Sequence, residues 1–170
     1  MNRLPKEFYK KDAITLAPLL LGKIIVRKLN DNTILKYKIT ETECYYGEED
    51  SACHAFKGRT KRTEVLYNEG GFSYIYLCYG IHLLLNIVTG PKDHPEAVLI
   101  RGIENYNGPG RVSKALHLTK DLNNIDLTLS DKIWLEETKE KQKYIKDKRV
   151  GINYATKKYK NIKWRFILIL

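Results

Sequence analysis

The middle of this chain is a succession of short apolar runs, each stopped by glycine, proline or a polar turn. That punctuation leaves room for little other than a β-sheet. Residues 73–78 and 81–88 are two such runs with Tyr79-Gly80 between them, and a Gly-rich turn, Glu69-Gly70-Gly71, precedes the first. Residues 97–103 form a third run, reached through a loop bracketed by Pro91 and Pro95. Upstream, residues 23–29 and 33–45 flank the turn signal Asp31-Asn32 and predict a hairpin. Residues 164–170 predict a final strand. Helices are expected around the sheet. Asp12 can cap one that runs through Ile14, Leu16, Leu19 and Leu20 and stops at Gly22. Gly108-Pro109-Gly110 opens another through Val112, Ala115 and Leu116, because proline suits a first helical turn. The charged stretch 131–148 reads as helix and loop. With 170 residues, the chain suits one core. The expected class is α+β: a single domain over residues 1–170, a mainly antiparallel curved β-sheet, flanking helices and a protruding β-hairpin.

Charge narrows the partner. Thirty Lys and Arg against twenty Asp and Glu give a net +10. A basic surplus on a small domain suits a polyanion, with nucleic acid ahead of an anionic membrane; a solvated lysine-rich surface accounts for it equally well. The three cysteines, Cys44, Cys53 and Cys78, are odd in number and share no repeated spacing, which argues against a disulfide framework. Without a CxxC pair no structural zinc site is expected, and no metal is called for. The first seven residues lack an apolar core, and no run approaches the roughly 18 apolar residues of a membrane span. An intracellular protein in a reducing compartment, with no membrane partner, is the expectation.

Four residues break the apolar pattern. Along residues 33–45, Leu35, Tyr37 and Ile39 alternate on one face, and strict alternation carries Glu41 and Glu43 onto that same face. A carboxylate there is desolvated unless paired. The strand can instead leave the core at Thr40, or a bulge can swap its faces. Arg101 interrupts residues 97–103 and needs an acidic partner, which Glu41 or Glu43 could supply, either as a functional group or as a structural ion pair. Asn86 lies inside an apolar run and must hydrogen-bond backbone or ligand. Tyrosines are also crowded: Tyr74, Tyr76 and Tyr79 share one short stretch. Sheet propensity explains the first two, whereas Tyr79 sits at a turn and should project, a candidate wedge between base pairs. Cys53-His54 offers a nucleophile and a base with no third group. Gly108-Pro109-Gly110-Arg111 is either a phosphate-binding helix start or a plain turn.

In order, these features resemble the alkyladenine (3-methyladenine) DNA glycosylases. The blocks are Glu41-Thr42-Glu43-Cys44-Tyr45, Asp50 with Cys53-His54-Ala55, Gly58-Arg59-Thr60-Lys61-Arg62, the stretch from Tyr74 to His82 with Asn86, Ala97-Val98-Leu99-Ile100-Arg101, Gly108-Pro109-Gly110-Arg111, Asp126-Leu127-Thr128 and Arg149-Val150-Gly151-Ile152-Asn153-Tyr154. The resemblance implies a monofunctional glycosylase of base excision repair. Such an enzyme flips alkylated or deaminated purines (3-methyladenine, 7-methylguanine, hypoxanthine, ethenoadenine) from duplex DNA and hydrolyses the N-glycosidic bond, leaving an abasic site. By position, Glu43 would activate the water, with Arg101 and the backbone of Val150 helping to hold it. Tyr45, Tyr76 and His54 would wall the flipped base, and Asn86 would help exclude guanine. Tyr79 would fill the gap in the duplex, and Ile81, Arg59, Thr60, Arg62 and Arg111 would contact DNA. No cofactor is implied, and the partner is damaged double-stranded DNA, bound by a monomer. Departures from the family pattern are Thr63, Leu66-Tyr67, Ile81 and Cys44. Two other readings use the same residues: a non-catalytic nucleic-acid module that treats Glu43 and Arg101 as a structural pair, and a cysteine hydrolase built on Cys53 and His54.

Overall fold

The computed structural model describes residues 2–170. The hairpin expected near the N-terminus forms between β1 (Ile24–Lys28) and β2 (Ile34–Tyr46), with Asn32 in the left-handed region at its turn. At 13 residues β2 is long enough to serve two partners. Its first half pairs with β1, and its second half pairs with β5 (Glu96–Ile103) along the opposite edge. β3 (Ser73–Cys78) and β4 (His82–Val88) extend the sheet beyond β5, and β6 (Tyr106–Asn107) adds a short return on β5. β7 (Ile133–Glu136) closes the free edge of β1, while β8 (Tyr144–Asp147) and β9 (Arg165–Leu168) pair with each other and dock on β2 at Glu41–Glu43. Every pairing is antiparallel, and the order β3-β4-β5-β2-β1-β7 describes one curled sheet. The α+β class is as expected from the sequence, and no helix among the described residues is long and apolar enough to cross a membrane.

Helices are few and short. Asp12 caps α1 (Ala13–Leu20) by accepting from the Thr15 N–H at 2.8 Å, and Gly22 follows the helix with φ 83°. Leu16, Ala17 and Leu20 of α1 pack into the main core with Ile39, Cys44, Val98 and Ile100. α2 (Pro109–Ala115) starts on the proline and buries Val112, and α3 (Lys157–Asn161) is a single short turn region near the C-terminus.

Two expectations need correction. The charged stretch 131–148 holds β7 and β8 rather than helix. Ile133, Trp134 and Leu135 are buried, and their partner β1 lies more than a hundred residues earlier, so the pairing left no local periodicity. The β3–β4 connection is also one residue longer than Tyr79-Gly80, because Cys78 pairs with His82 and Ile81 belongs to the turn.

The third finding concerns β2. Ile39 is in the core, but so are Thr42 and Cys44, while Glu41 and Glu43 turn to the other face. Strict alternation is broken by two offsetting irregularities. Thr40 is an extra residue between the pairs Ile39↔Ile103 and Glu41↔Gly102, and Arg101 is an extra residue between Gly102 and Ile100. Such bulges re-aim side chains. Here they keep apolar residues inward at both ends of the strand and deliver Glu41, Glu43 and Arg101 to one polar side. Thr42 confirms the inward direction, since its hydroxyl donates to the Ala17 carbonyl at 2.8 Å.

The crossing requires close approach. A Cβ on Gly102 would lie 2.9 Å from Thr40 Oγ1 and 3.1 Å from Glu41 Cβ. Gly102→Ala should therefore destabilise the protein by about 1–3 kcal/mol, the usual cost of overpacking. Urea unfolding measures it, and an unchanged midpoint would show that the bulge tolerates the methyl group.

Candidate active site

Glu43 is wholly buried, and both of its oxygens are engaged. Oε1 accepts from the Tyr45 hydroxyl at 2.9 Å, and Oε2 accepts from the Val150 backbone N–H at 2.7 Å. Arg101 Nε stands 3.9 Å from Oε2 and closer, at 3.2 Å, to Glu41 Oε1. Glu41 is shared, since Arg165 Nη1 also reaches its Oε1, at 3.0 Å. Burial pushes the Glu43 carboxyl up from its ordinary value; Arg101, the Val150 N–H, the Tyr45 hydroxyl and Arg149 oppose that shift without cancelling it. Arg101 thus lies between two carboxylates, and its direct hydrogen bond goes to Glu41.

Beside this carboxylate lies an aromatic recess. Period-two alternation on β3 puts Tyr74 and Tyr76 on the same face, with ring centroids 5.7 Å apart and planes 35° apart. His54, at the start of a 3-10 turn (His54–Lys57), meets Tyr76 at 4.4 Å between centroids and shares a 2.9 Å hydrogen bond with the Tyr74 hydroxyl through Nδ1. Tyr45 on β2 and Asn86 on β4 also line the recess, with Asn86 Nδ2 donating to the Tyr74 carbonyl at 3.3 Å. A wider cleft connects this recess to Glu43, Arg101, Val150 and Tyr79. A carboxylate with a raised pKa, a cation and donor groups thus stand at the mouth of a pocket walled by rings. That arrangement can hold a flat heteroaromatic group and act on the atom attached to it.

The hairpin tip completes the picture. Tyr79 is 89% exposed and Ile81 73% exposed, and Tyr79 adopts φ 51°, a region that a bulky residue rarely visits.

Over residues 7–169 the chain matches the family model described as Methylpurine-DNA glycosylase (MPG). The chain belongs to that family. Relatives provisionally named 3-methyladenine DNA glycosylase agree. One from Natranaerobius thermophilus is 40% identical over 190 residues, covering 98% of this chain and 95% of the relative. One from Ehrlichia ruminantium is 42% identical over 177 residues, covering 98% and 89%. One from Borrelia garinii subsp. bavariensis is 39% identical over 178 residues, covering 97% and 95%. The protein is therefore a DNA glycosylase, a hydrolase of N-glycosyl bonds that serves the repair of alkylated bases.

Within this methylpurine-DNA glycosylase the residues singled out from sequence do not all share one environment. Glu43, Arg101, Val150, Tyr45, His54, Tyr76 and Asn86 converge on the recess and its mouth. Arg62 is beside them, its guanidinium 5.7 Å from the Tyr76 ring centroid. Arg59 is engaged within the protein: it forks onto Glu64 at 2.7 and 2.8 Å, meets Asp93 at 3.1 Å and lies over the Tyr67 ring. Thr60 is tied to Thr63, whose hydroxyl accepts from the Thr60 N–H at 2.8 Å. Arg111 is exposed on the first turn of α2. Three residues to which the sequence reading gave no role belong to the site: Tyr74, which holds His54, and the pair Asp50 and Arg149, which lies behind Tyr45 and Val150. Only Tyr74 carried a local signal, its alternation with Tyr76. Cys53 is buried and burial pushes its thiol up to about 12, so the environment works against a cysteine nucleophile.

His54 is the residue whose charge state most affects an aromatic pocket. Burial first, then Arg62 and Lys57, lower its pKa to about 4. It should stay neutral from pH 5 to 8, and an NMR titration of its ring should show a midpoint near 4. A midpoint near the ordinary value of about 6.5 would mean that the pocket is far more hydrated than its burial indicates.

Proposed function

We propose that this glycosylase flips alkylated or deaminated purines out of duplex DNA into the Tyr45–Tyr76–His54 recess and cuts the glycosidic bond with a water activated by Glu43. The observation that carries this reading is the position of Glu43: a buried carboxylate with a raised pKa, held by a backbone N–H at the mouth of an aromatic pocket. Hydrolysis passes through an oxocarbenium-like state, so a carboxylate serves twice. It takes the proton of the attacking water and offsets the positive charge developing on the sugar. Arg101, between Glu41 and Glu43, is placed to orient that water without neutralising Glu43 alone.

Aromatic walls supply selectivity. An electron-poor alkylated base stacks strongly on electron-rich rings, and a neutral His54 avoids repelling a cationic base. A base such as 3-methyladenine already carries the charge that makes it a good leaving group. Hypoxanthine must acquire a proton on its ring before it leaves. Asn86, whose amide donates to the Tyr74 carbonyl, is placed to meet the exocyclic amino group that distinguishes guanine. The partner is double-stranded DNA containing such purines, bound by one copy of the chain. Residues 139–165 suit it, with exposed Lys at 139, 141, 143, 146, 148, 157, 158, 160 and 163 against acids only at 140 and 147.

Two experiments test the reading. Glu43→Gln keeps the shape and removes the base, so single-turnover release of free base should fall by at least about a thousandfold, near the upper range for a general base, while lesion-duplex binding persists. Release close to the wild-type rate would overturn the role of Glu43. Tyr79→Ala tests the flipping step. A wedge that replaces lost stacking is worth on the order of 1–3 kcal/mol, so its removal should lower the flipped population about tenfold or more on a well-paired lesion. A mispaired lesion, already easier to extrude, should suffer less. Equal behaviour of variant and wild type in both contexts, by base-stacking fluorescence and single-turnover release, would leave Tyr79 an ordinary surface residue.

A further inference from the structure

The buried guanidinium of Arg149 ties β2, the turn at Asp50 and α3 to the loop that carries Val150. It forks onto Asp50, with Nη1 at 2.6 Å from Oδ2 and Nη2 at 3.0 Å from Oδ1, and both side chains are fully buried. Nη1 also donates to the Cys44 carbonyl at 3.0 Å, between Glu43 and Tyr45 on β2. Nη2 donates to the Tyr159 carbonyl at 3.0 Å in α3. The cation lies 5.0 Å from the Tyr45 ring centroid and 5.0 Å from that of Trp164. Asp50 in turn accepts from the Tyr46 N–H and the Ala52 N–H, both at 3.0 Å, which fixes the turn leading to Cys53 and His54. The next residue after Arg149 is Val150, whose N–H binds Glu43 at 2.7 Å.

We propose that Arg149, locked by Asp50, is a positioning residue for the glycosylase reaction: it sets the Val150 N–H against Glu43 and backs the face of Tyr45 that the flipped base does not touch. The proposal rests on the Glu43 mechanism. Its geometry is specific to arginine. One planar fork satisfies a carboxylate and two carbonyls in fixed directions while presenting a flat face to two rings, which an ammonium cannot do. Burial disfavours the charge, and the bonds to Asp50 more than offset that, so the guanidinium pKa is raised and the clamp stays charged. The Arg149 side chain is fully buried and does not line the cleft, so it acts through Tyr45 and Val150.

A purely structural clamp would change stability without changing the titration of Glu43, and pH therefore separates the two roles. Arg149→Lys keeps the positive charge and loses the fork. The Val150 N–H favours the ionised form of Glu43, so its displacement raises the Glu43 pKa. The acid limb of single-turnover release from a 7-methylguanine duplex should then move to higher pH. The plateau rate should fall at least tenfold, while lesion-duplex affinity changes less than threefold. Ile133→Ala, buried on β7 away from the cleft, supplies a destabilised control with an unshifted limb. Should Arg149→Lys fail to fold, the joint change Asp50→Asn with Arg149→Gln removes both charges together and leaves two amides able to pair; the same shift and loss are expected. A folded variant with the wild-type limb and plateau overturns the proposal. Absence of base release by the wild type, or release that survives Glu43→Gln, overturns the glycosylase mechanism instead.

Discussion

A carboxylate fully withdrawn from water is the constraint around which this protein is arranged. Left alone, a buried charge costs several kcal/mol, and it persists only where donors and cations replace the lost solvation. Glu43 draws one donor from Tyr45, two residues along its own strand, and another from Val150, 107 residues later. Its cation comes from a bulge in the neighbouring strand. Satisfying one carboxylate therefore requires the second half of β2, the end of β5 and the turn after β8 to be in place together. Burial still prevails, and the raised pKa follows directly. The same desolvation that makes the group expensive to fold makes it a stronger base once ionised.

The charges around Glu43 are balanced in kind as well as number. Three carboxylates, Glu41, Glu43 and Asp50, meet three guanidiniums, Arg101, Arg165 and Arg149. All three cations are arginines, while lysines populate the surface. Arginine suits the interior because its weakly hydrated plane bonds in fixed directions and stacks on rings, as Arg149 does on Tyr45 and Trp164. The +10 surplus is thus excluded from the buried layer and left on the outside, where a polyanion can use it.

Much of the fold was legible in the sequence because it rests on local rules. Asp12 and Gly22 bound α1, Pro109 starts α2, and Asn32 turns the first hairpin. The candidate site was legible to the same depth: Glu43, Arg101 and Asn86 each interrupt an apolar run, and each lies in or beside the recess. What escaped depends on distant partners. β7 is three buried residues among charges, and only the open edge of β1 makes them a strand. The face switch in β2 depends on Thr40 being matched by Arg101 across the sheet, and no single-strand pattern contains that information. Strict alternation would have sent the two glutamates towards the core; the bulge sends them to the cleft. Asp50 and Arg149 are 99 residues apart and unremarkable in composition, so their pairing was invisible until the chain was folded.

The hairpin of β3 and β4 shows how stability and function diverge within one element. Its base is ordinary: Ile75 and Leu85 pair across the strands and enter the main core. Its tip gains nothing from folding, because Tyr79 holds an unfavourable φ and both Tyr79 and Ile81 expose apolar surface. Strain of that kind costs of order 1–3 kcal/mol and persists where the surroundings over-determine it. Here the paired strands impose it. The same strands carry Tyr74 and Tyr76 on the face of the recess and Asn86 opposite Tyr74. The exposed tip and the pocket wall are therefore two ends of one ladder of hydrogen bonds. In the proposed mechanism this matters more than either residue alone. A wedge mounted on a mobile loop would fill the gap in the duplex without constraining where the displaced base goes. Mounted on the strand pair that walls the pocket, it fixes the distance between the gap and the recess, so inserting one and filling the other become a single event.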